Sequence, residues 1–141
     1  MLEVKIVDNK EFSKELESRT KKFAIQIISL SSALPFTPES KVIRNQITKS
    51  GTSIGANYSE ANRSKSKADF SYKIKICESE ASETIFWLEI IDELNLSTHQ
   101  SIKSEIAEAK ELLAIFTSIG RNLKLKQFNT PNTSSTSNFR H

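Results

Sequence analysis

Few residues in this chain could carry out covalent or metal chemistry. Its two histidines are His99, in a predicted connection between helices, and His141, at the end of the sequence. A di-metal site in a helical bundle needs Glu-x-x-His pairs on inward faces, and the sequence contains none. Cys77 shares its predicted helix with no histidine and is predicted to be a small core residue. Gly51 and Gly55 lack the lysine and the strand of a phosphate-binding loop, and are predicted to allow close helix packing. We therefore expect no enzyme activity, metal or cofactor.

The segment from Ile43 to Asn62 carries an unusual polar pattern. Two of the chain's glycines fall within it, inside an otherwise helical rhythm. If the segment is a helix, at about 100° per residue, one flank carries a polar row at heptad spacing: Gln46, Ser50, Ser53, Asn57 and Glu60. This row could bind a ligand, or it could form a buried hydrogen-bonded seam that fixes helix register or subunit contacts. We favour the seam, because buried polar groups are costly when unpaired and are generally paired.

Basic residues gather where the predicted helices begin and end. The third predicted helix starts with lysines and finishes with acidic residues, which is the reverse of what its dipole favours. In an antiparallel bundle, this lysine-rich start would meet Lys10 and Lys14 of the first helix and the basic end of the fourth. Binding to backbone phosphates, without base specificity, is predicted for Arg44, Lys49, Arg63, Lys65, Lys67, Lys73, Lys75, Arg121, Lys124 and Lys126. The alternative is an ordinary solvated surface that in part complements a helix end.

Prolines separate the first two predicted helices. From about Lys10 to Leu34, apolar residues alternate steps of four and three, which places them on one stripe of a helix. Pro35 and Pro38 end this pattern. Thr37 followed by proline is typical of an N-cap and a first helical residue, and it predicts a second helix that runs to about Asn62.

The third and fourth predicted helices follow capping residues. Ser66 caps the third helix, whose apolar stripe keeps heptad register until Asn95 marks its end. Ser97 with Gln100 forms a capping box for the fourth. Residues 127–141 are polar and without period, so we expect a bundle domain at 1–126 and a flexible tail at 127–141. Because the connections are short, the predicted fold is all-α, an antiparallel up-down-up-down four-helix bundle.

The third helix has more apolar surface than one bundle can bury. Opposite its core stripe lies a second row of aromatic and aliphatic side chains: Tyr72, Ile76, Trp87, Ile90 and Leu94. Exposed rows of this kind usually mark an interface. The alternative is a helix with wide contacts to two neighbours in its own bundle. We expect the row to form the interface of a homo-oligomer.

Composition restricts the location and the partners of the protein. The chain has 141 residues, of which 37% are hydrophobic and 26% charged, and this suffices for one domain with a core. A single cysteine excludes an internal disulfide, and no apolar run approaches the roughly 20 residues that cross a bilayer. The N-terminal residues are too charged for a secretory signal. We expect a cytoplasmic protein without membrane contact, whose net charge of +3 slightly favours a polyanionic partner.

Three segments follow one another between Arg19 and Lys126: RTKKFAIQIISLSSALP, IRNQITKSGTSIGANYSEANR and AKELLAIFTSIGRNLK. In sequence and order they resemble the bacterial four-helix-bundle family of 23S rRNA intervening-sequence proteins, whose relatives include the accessory variability protein of diversity-generating retroelements. This chain has Glu60-Ala61 where the family commonly has Glu-Gly. The family-like positions of the second segment are Arg44, Gln46, Ser50, Ser53, Asn57 and Glu60.

The resemblance implies a four-helix protomer and a ring-like homopentamer. From the retroelement relatives it also implies a basic surface that binds nucleic acid and a reverse transcriptase as partner. Together with the charge pattern, this predicts a non-enzymatic homo-oligomer that binds RNA or DNA through basic surfaces. The alternative is a purely structural or protein-binding oligomeric scaffold without affinity for nucleic acid.

Overall fold

Four long α-helices build the described part of the chain. The computed structural model describes residues 2–97 and 101–128, with side chains at 9–97 and 101–126. The helices are α1 (Leu2–Ser32), α2 (Pro38–Ala61), α3 (Lys67–Glu93) and α4 (Ile102–Phe128). These ranges contain no strand, which confirms the predicted all-α class. α1 begins before the predicted start near Lys10, and α4 begins after the predicted capping box, of which Gln100 lies outside the described residues. The predicted tail also lies outside them from residue 129 onward.

The helix ends follow local side-chain chemistry. Thr37 Oγ1 accepts a hydrogen bond from the backbone N–H of Ser40 at 3.0 Å, and Ser66 Oγ accepts one from Asp69 at 3.0 Å. Both predicted N-caps are therefore confirmed. Asn95 adopts a φ of 53° just beyond α3, and asparagine tolerates this left-handed conformation better than most residues. The chain accordingly reverses where the sequence predicts.

Each helix packs mainly against its neighbours in the sequence. α1 packs on α2, α2 on α3 and α3 on α4, whereas α1 and α4 contact each other much less. Within the described ranges, no Cα atom of α1 lies within 8 Å of α3, and none of α2 lies within 8 Å of α4. The helices therefore occupy the corners of a square and alternate in direction, which confirms the up-down-up-down bundle.

The core is filled by one stripe from each helix. The predicted stripe of α1 is buried throughout, at Leu16, Thr20, Phe23, Ile27, Leu30 and Leu34. α3 buries Ile74, Cys77, Ala81, Thr84, Leu88 and Ile91. Between α2 and α4, the rings of Tyr58 and Phe116 meet edge to face with centroids 5.5 Å apart. Since burial of each large apolar side chain stabilises the fold by about 1.5–3 kcal/mol, these stripes hold the bundle together.

Two glycines allow α1 and α2 to approach closely. A Cβ atom added at Gly51 would lie 2.7 Å from Ile27 Cγ2. One added at Gly55 would lie 3.1 Å from Thr20 Oγ1. Because protein interiors are close-packed, helices at this separation leave no room for a larger side chain at either position. The glycines serve close packing, as the sequence predicted.

Candidate nucleic-acid interface

One end of the bundle brings together basic residues from all four helices. Because neighbouring helices are antiparallel, α1 and α3 begin at this end while α2 and α4 finish there. The Asn62 side chain after α2 donates to Glu17 of α1 at 2.7 Å, and Thr117 of α4 donates to Glu78 of α3 at 2.8 Å. The first contact joins the end of α2 to α1, and the second joins α4 to α3. We call the following group the basic end: Lys10, Lys14, Arg63, Lys65, Lys67, Lys73, Lys75, Arg121, Lys124 and Lys126.

Most cations of the basic end project into solvent. Each is exposed except Lys73, which is half-buried. Lys73 Nζ lies 2.6 Å from Glu60 Oε1, and this hydrogen bond raises the pKa of the lysine and lowers the pKa of the carboxyl group. Arg63 donates to the carbonyl and the hydroxyl oxygen of Ser59 at 3.3 and 3.0 Å. Among the residues whose side chains are described, the acidic residues of this end are fewer: Glu11, Glu15, Glu17, Glu60, Asp69 and Glu78. The local potential is therefore positive.

The opposite end of the bundle is more acidic, and its charges are paired across helices. Lys103 Nζ of α4 lies 2.7 Å from Asp92 Oδ2 of α3, and this hydrogen bond raises the pKa of the lysine. Lys110 Nζ lies 3.6 Å from Glu89 Oε2. Glu93 at the end of α3 is exposed. The molecule is thus electrically polarised along its long axis.

Arg44, a predicted phosphate-binding residue, lies away from the basic end. Its guanidinium group donates to the carbonyl oxygens of Ser31 at 3.2 Å, Leu34 at 3.2 Å and Pro35 at 2.8 Å. It also stacks over the ring of Phe36, 5.3 Å from the centroid. The last carbonyl groups of a helix lack partners within the helix, and Arg44 binds one of them, that of Ser31, together with two carbonyl groups of the connection that follows α1. Its charge is used for capping, so we leave it out of the proposed interface.

The predicted polar row follows the edge of α2 that adjoins α3. Ser50 is its buried member, and its hydroxyl pairs with Thr84 of α3 at 3.0 Å. Asn57 donates to the carbonyl of Ser53 at 2.8 Å, and Ser53 donates to the carbonyl of Lys49 at 2.7 Å. Gln46 is half-buried and Glu60 is exposed. The hydrogen bonds of the row therefore run within α2 and across to α3. Lys49, the other predicted phosphate-binding residue outside the basic end, is exposed halfway along α2.

The predicted oligomer row lies on the outward side of α3. Its members are Tyr72, Ile76, Trp87, Ile90 and Leu94. Tyr72 and Leu94 are 65% and 61% exposed, and Ile76 is half-buried. Trp87 and Ile90 are also half-buried but pack against the core of their own bundle, as the alternative of wide contacts within one bundle expects. Phe86, which the sequence analysis did not single out, is 55% exposed and packs edge to face on Trp87 with centroids 5.0 Å apart. Phe86 follows Tyr72 by fourteen residues, which is two heptads, and this spacing could have placed it in the row from the sequence alone. α3 therefore presents an aromatic and aliphatic surface to solvent.

Comparison with known proteins identifies the family. The sequence profile of the 23S rRNA-intervening sequence proteins matches residues 14–118. The chain belongs to this family. One similar solved structure is a crystal structure at 1.70 Å of a protein of unknown function from the S23 ribosomal protein family of Bacteroides thetaiotaomicron VPI-5482. The two chains are 35% identical with a TM-score of 0.68, over 74% of this chain and 96% of that chain. No curated protein matches at a significant level.

Within the family region, a clamp between α1 and α4 escaped the sequence analysis. Arg19 donates to both carboxylate oxygens of Glu108, at 2.6 and 2.8 Å, and also to Glu111. These hydrogen bonds raise the pKa of the arginine. Beside them, the amide of Gln26 faces the buried carboxylate of Glu105. The clamp joins residues 89 positions apart, so no local pattern could reveal it. It fastens the pair of neighbouring helices that pack least.

The described part of this family member offers neither a membrane span nor a cluster of metal ligands. Among the described residues, no helix is long and apolar enough to cross a membrane, and no three metal-ligating side chains converge. Cys77 is buried, with its Sγ atom 3.5 Å from the carbonyl oxygen of Ile54. Burial raises the pKa of its thiol to about 12. Because the thiolate is the reactive form, Cys77 acts as a core residue at neutral pH.

Proposed function

We propose that this family member is a non-enzymatic, self-associating bundle that binds RNA or DNA through the basic end. The observation that carries the proposal is the convergence of exposed lysine and arginine side chains from four helices at one end of the bundle. A cluster of exposed cations favours binding to the phosphate backbone of a nucleic acid, and binding through phosphates is independent of base sequence. The family description refers to an intervening sequence of 23S rRNA, which supports structured RNA as the first probe.

Self-association is supported by the outward surface of α3. Soluble monomers rarely expose contiguous aromatic and aliphatic rows, and such rows usually mark interfaces. Tyr72, Phe86 and Leu94 are each more than half exposed in a single copy. The proposed assembly is a homo-oligomer, expected to be a pentamer from the family resemblance. An assembly presents several basic ends at once, so a long nucleic acid can bind to more than one of them with increased avidity.

The proposal predicts salt-dependent retention of nucleic acid. A structured RNA and a DNA duplex of equal length are titrated with the wild-type protein at low and moderate salt. The logarithm of the binding constant should fall linearly with the logarithm of salt concentration, by about 0.7–0.9 for each phosphate contacted. If neither nucleic acid is retained at low salt, the proposal is wrong and the scaffold alternative remains.

A matched pair of variants locates the binding surface. The first replaces four cations of the basic end by glutamine and spares the pair between Lys73 and Glu60: Arg63, Lys65, Lys67 and Lys75. The second removes the same number of charges at positions outside the predicted binding residues: Lys22, Lys41, Lys103 and Lys110. The first variant should bind at least tenfold more weakly with a salt slope shallower by about 3, and the second should bind like the wild type. Equal losses in both would mean that only net charge matters. Circular dichroism establishes that helicity is unchanged in both.

A further inference from the structure

Two helices carry regular stripes of side chains on faces that the bundle does not use. Steps of four and three residues align the outer α3 stripe, which consists of Tyr72, Ile76, Ser79, Glu83 and Phe86. The same steps align the outer α1 stripe, which consists of Lys14, Ser18, Lys21, Ile25, Ile28 and Ser32. This spacing is the one with which a helix packs along another helix. Each of these helices therefore has a second face suited to a helical partner.

The outer stripes expose large apolar side chains that the core leaves unused. In the outer α3 stripe, Tyr72 and Phe86 are 65% and 55% exposed. In the outer α1 stripe, Ile25 and Ile28 are 61% and 48% exposed. The core-facing residues of the same helices, such as Ile27, are fully buried. Both helices thus keep apolar surface available for a contact outside their own bundle.

The charges of the two stripes are opposite in sign. The outer α1 stripe contains Lys14 and Lys21, both exposed, while the outer α3 stripe contains Glu83 with Glu80 beside it. Burial raises the pKa of Glu80 and repulsion by Glu83 raises it further, whereas Lys49 of α2 lowers it. The pKa remains raised, so a further cation from another copy would stabilise this pair of carboxylates. Two α3 stripes packed on each other would instead bring carboxylates of like sign together, which is unfavourable. Complementarity therefore favours α1 of another copy over α3 of another copy.

The two stripes point in different directions on one molecule. The backbones of α1 and α3 stay more than 8 Å apart within the described residues, because the two helices stand at diagonal corners of the bundle. One molecule can therefore offer its outer α3 stripe to one copy and its outer α1 stripe to another. A contact between two different surfaces is heterologous, and it continues from copy to copy until a ring closes or a filament grows.

We propose that the outer α3 stripe of one copy packs against the outer α1 stripe of a second copy, and that this heterologous contact builds the assembly. The inference rests on the self-association proposed above and assigns its two surfaces. The aliphatic side chains Ile25 and Ile28 meet the aromatic row of α3, and the lysines of α1 face the carboxylates of α3.

Complementation between two variants tests the pairing. Variant A carries Ile25→Glu and Ile28→Glu, which disable the outer α1 stripe. Variant B carries Tyr72→Glu and Phe86→Glu, which disable the outer α3 stripe. All four positions are largely exposed, so both variants should fold, as circular dichroism will show. Leu125→Glu, at an equally exposed apolar position of α4, is the control and should assemble like the wild type.

Light scattering and sedimentation then give the masses of these species at micromolar concentration. Each variant alone should be monomeric, with a dissociation constant raised at least tenfold. An equimolar mixture of A and B should form a species of twice the protomer mass, because A keeps an intact α3 stripe and B keeps an intact α1 stripe. A mixture that stays monomeric, or a variant A that assembles fully by itself, would overturn the pairing while self-association stands. A monomeric wild type would overturn self-association as well.

Exchanging the charges provides a second measurement. Lys14→Glu with Lys21→Glu should weaken assembly, and Glu80→Lys with Glu83→Lys should weaken it by a similar factor. All four changes in one chain should restore most of the wild-type affinity if the two stripes face each other. Failure of the combined variant to recover would contradict the proposed pairing of charges.

Discussion

Replacing Gly51 by alanine tests whether close packing of α1 and α2 requires a glycine. The new Cβ atom would lie 2.7 Å from Cγ2 and 3.0 Å from Cγ1 of Ile27, whereas carbon atoms in good contact are about 3.5–4.0 Å apart. Gly120 in α4 is the matched control, because a Cβ atom added there meets nothing within 4 Å. Both glycines lie within helices, so both substitutions gain the same intrinsic helix propensity.

The magnitudes follow from two opposing effects. Alanine is favoured over glycine inside a helix by up to about 1 kcal/mol, so Gly120→Ala should raise the free energy of unfolding by nearly that amount. Overpacking a close-packed contact costs about 1–3 kcal/mol, so Gly51→Ala should lower the free energy of unfolding by about 1 kcal/mol. The propensity gain cancels when the two variants are compared. Their difference, about 1–3 kcal/mol, therefore measures the overpacking alone.

Urea unfolding followed by circular dichroism provides the assay. All proteins are compared at one fixed concentration, because self-association would stabilise the folded state. The background Ile27→Ala removes Cγ1 and Cγ2 and leaves only the Cβ atom of residue 27, at 3.1 Å. In that background Gly51→Ala should lose most of its destabilising effect. If Gly51→Ala stabilises the unaltered chain as much as Gly120→Ala does, the account of the α1–α2 contact is refuted.

Two further predictions concern Arg44 and Cys77. Arg44→Met should lower the free energy of unfolding by about 1–3 kcal/mol, because the end of α1 loses its cap. The affinity for RNA should stay unchanged. The control Lys41→Met, at an exposed neighbouring position, should change the free energy of unfolding by less than about 0.5 kcal/mol. Lower affinity at unchanged stability would contradict the capping role. In the folded protein the pKa of the Cys77 thiol is about 12, above its ordinary value of 9.0. The stabilisation by the buried neutral thiol is therefore complete below pH 9 and is lost as the pH rises towards 12. Between pH 9 and 10.5 the wild type should lose about 1.5 kcal/mol relative to Cys77→Ala, and parallel pH curves for the two proteins would contradict this.

The fold was predictable because its signals are local and repeated. The stripe from Leu16 to Leu34 recurs with helical period, and every residue of it is buried. The caps at Thr37 and Ser66 are likewise set by residues within one turn of them. Asn95 marks the end of α3 because its side chain tolerates the left-handed backbone. Periodicity and caps determine the elements, and short connections then leave one economical arrangement.

The candidate site was less predictable because it depends on contacts between distant residues. The type and position of Arg44 suggested a phosphate ligand, but the carbonyl groups it binds belong to the last turn of α1 and to the connection that follows. The ion pair of Lys73 with Glu60 likewise requires knowledge of how α3 crosses α2. The bonds of Arg19 to α4 span most of the chain. A sequence shows which side chains are charged, whereas the fold decides which of those charges remain available.

The unequal packing around the bundle gives its helices unequal freedom to move. α1 and α4 share the smallest contact of the four neighbouring pairs, and the clamp at Arg19 crosses it. Separation of α1 from α4 leaves the hydrogen bonds inside every helix intact and exposes the least surface. It is therefore the local opening of lowest free energy. Backbone amides beside this contact should exchange with deuterium sooner than those between α2 and α3. An exchange of α1 between two molecules would begin at this contact.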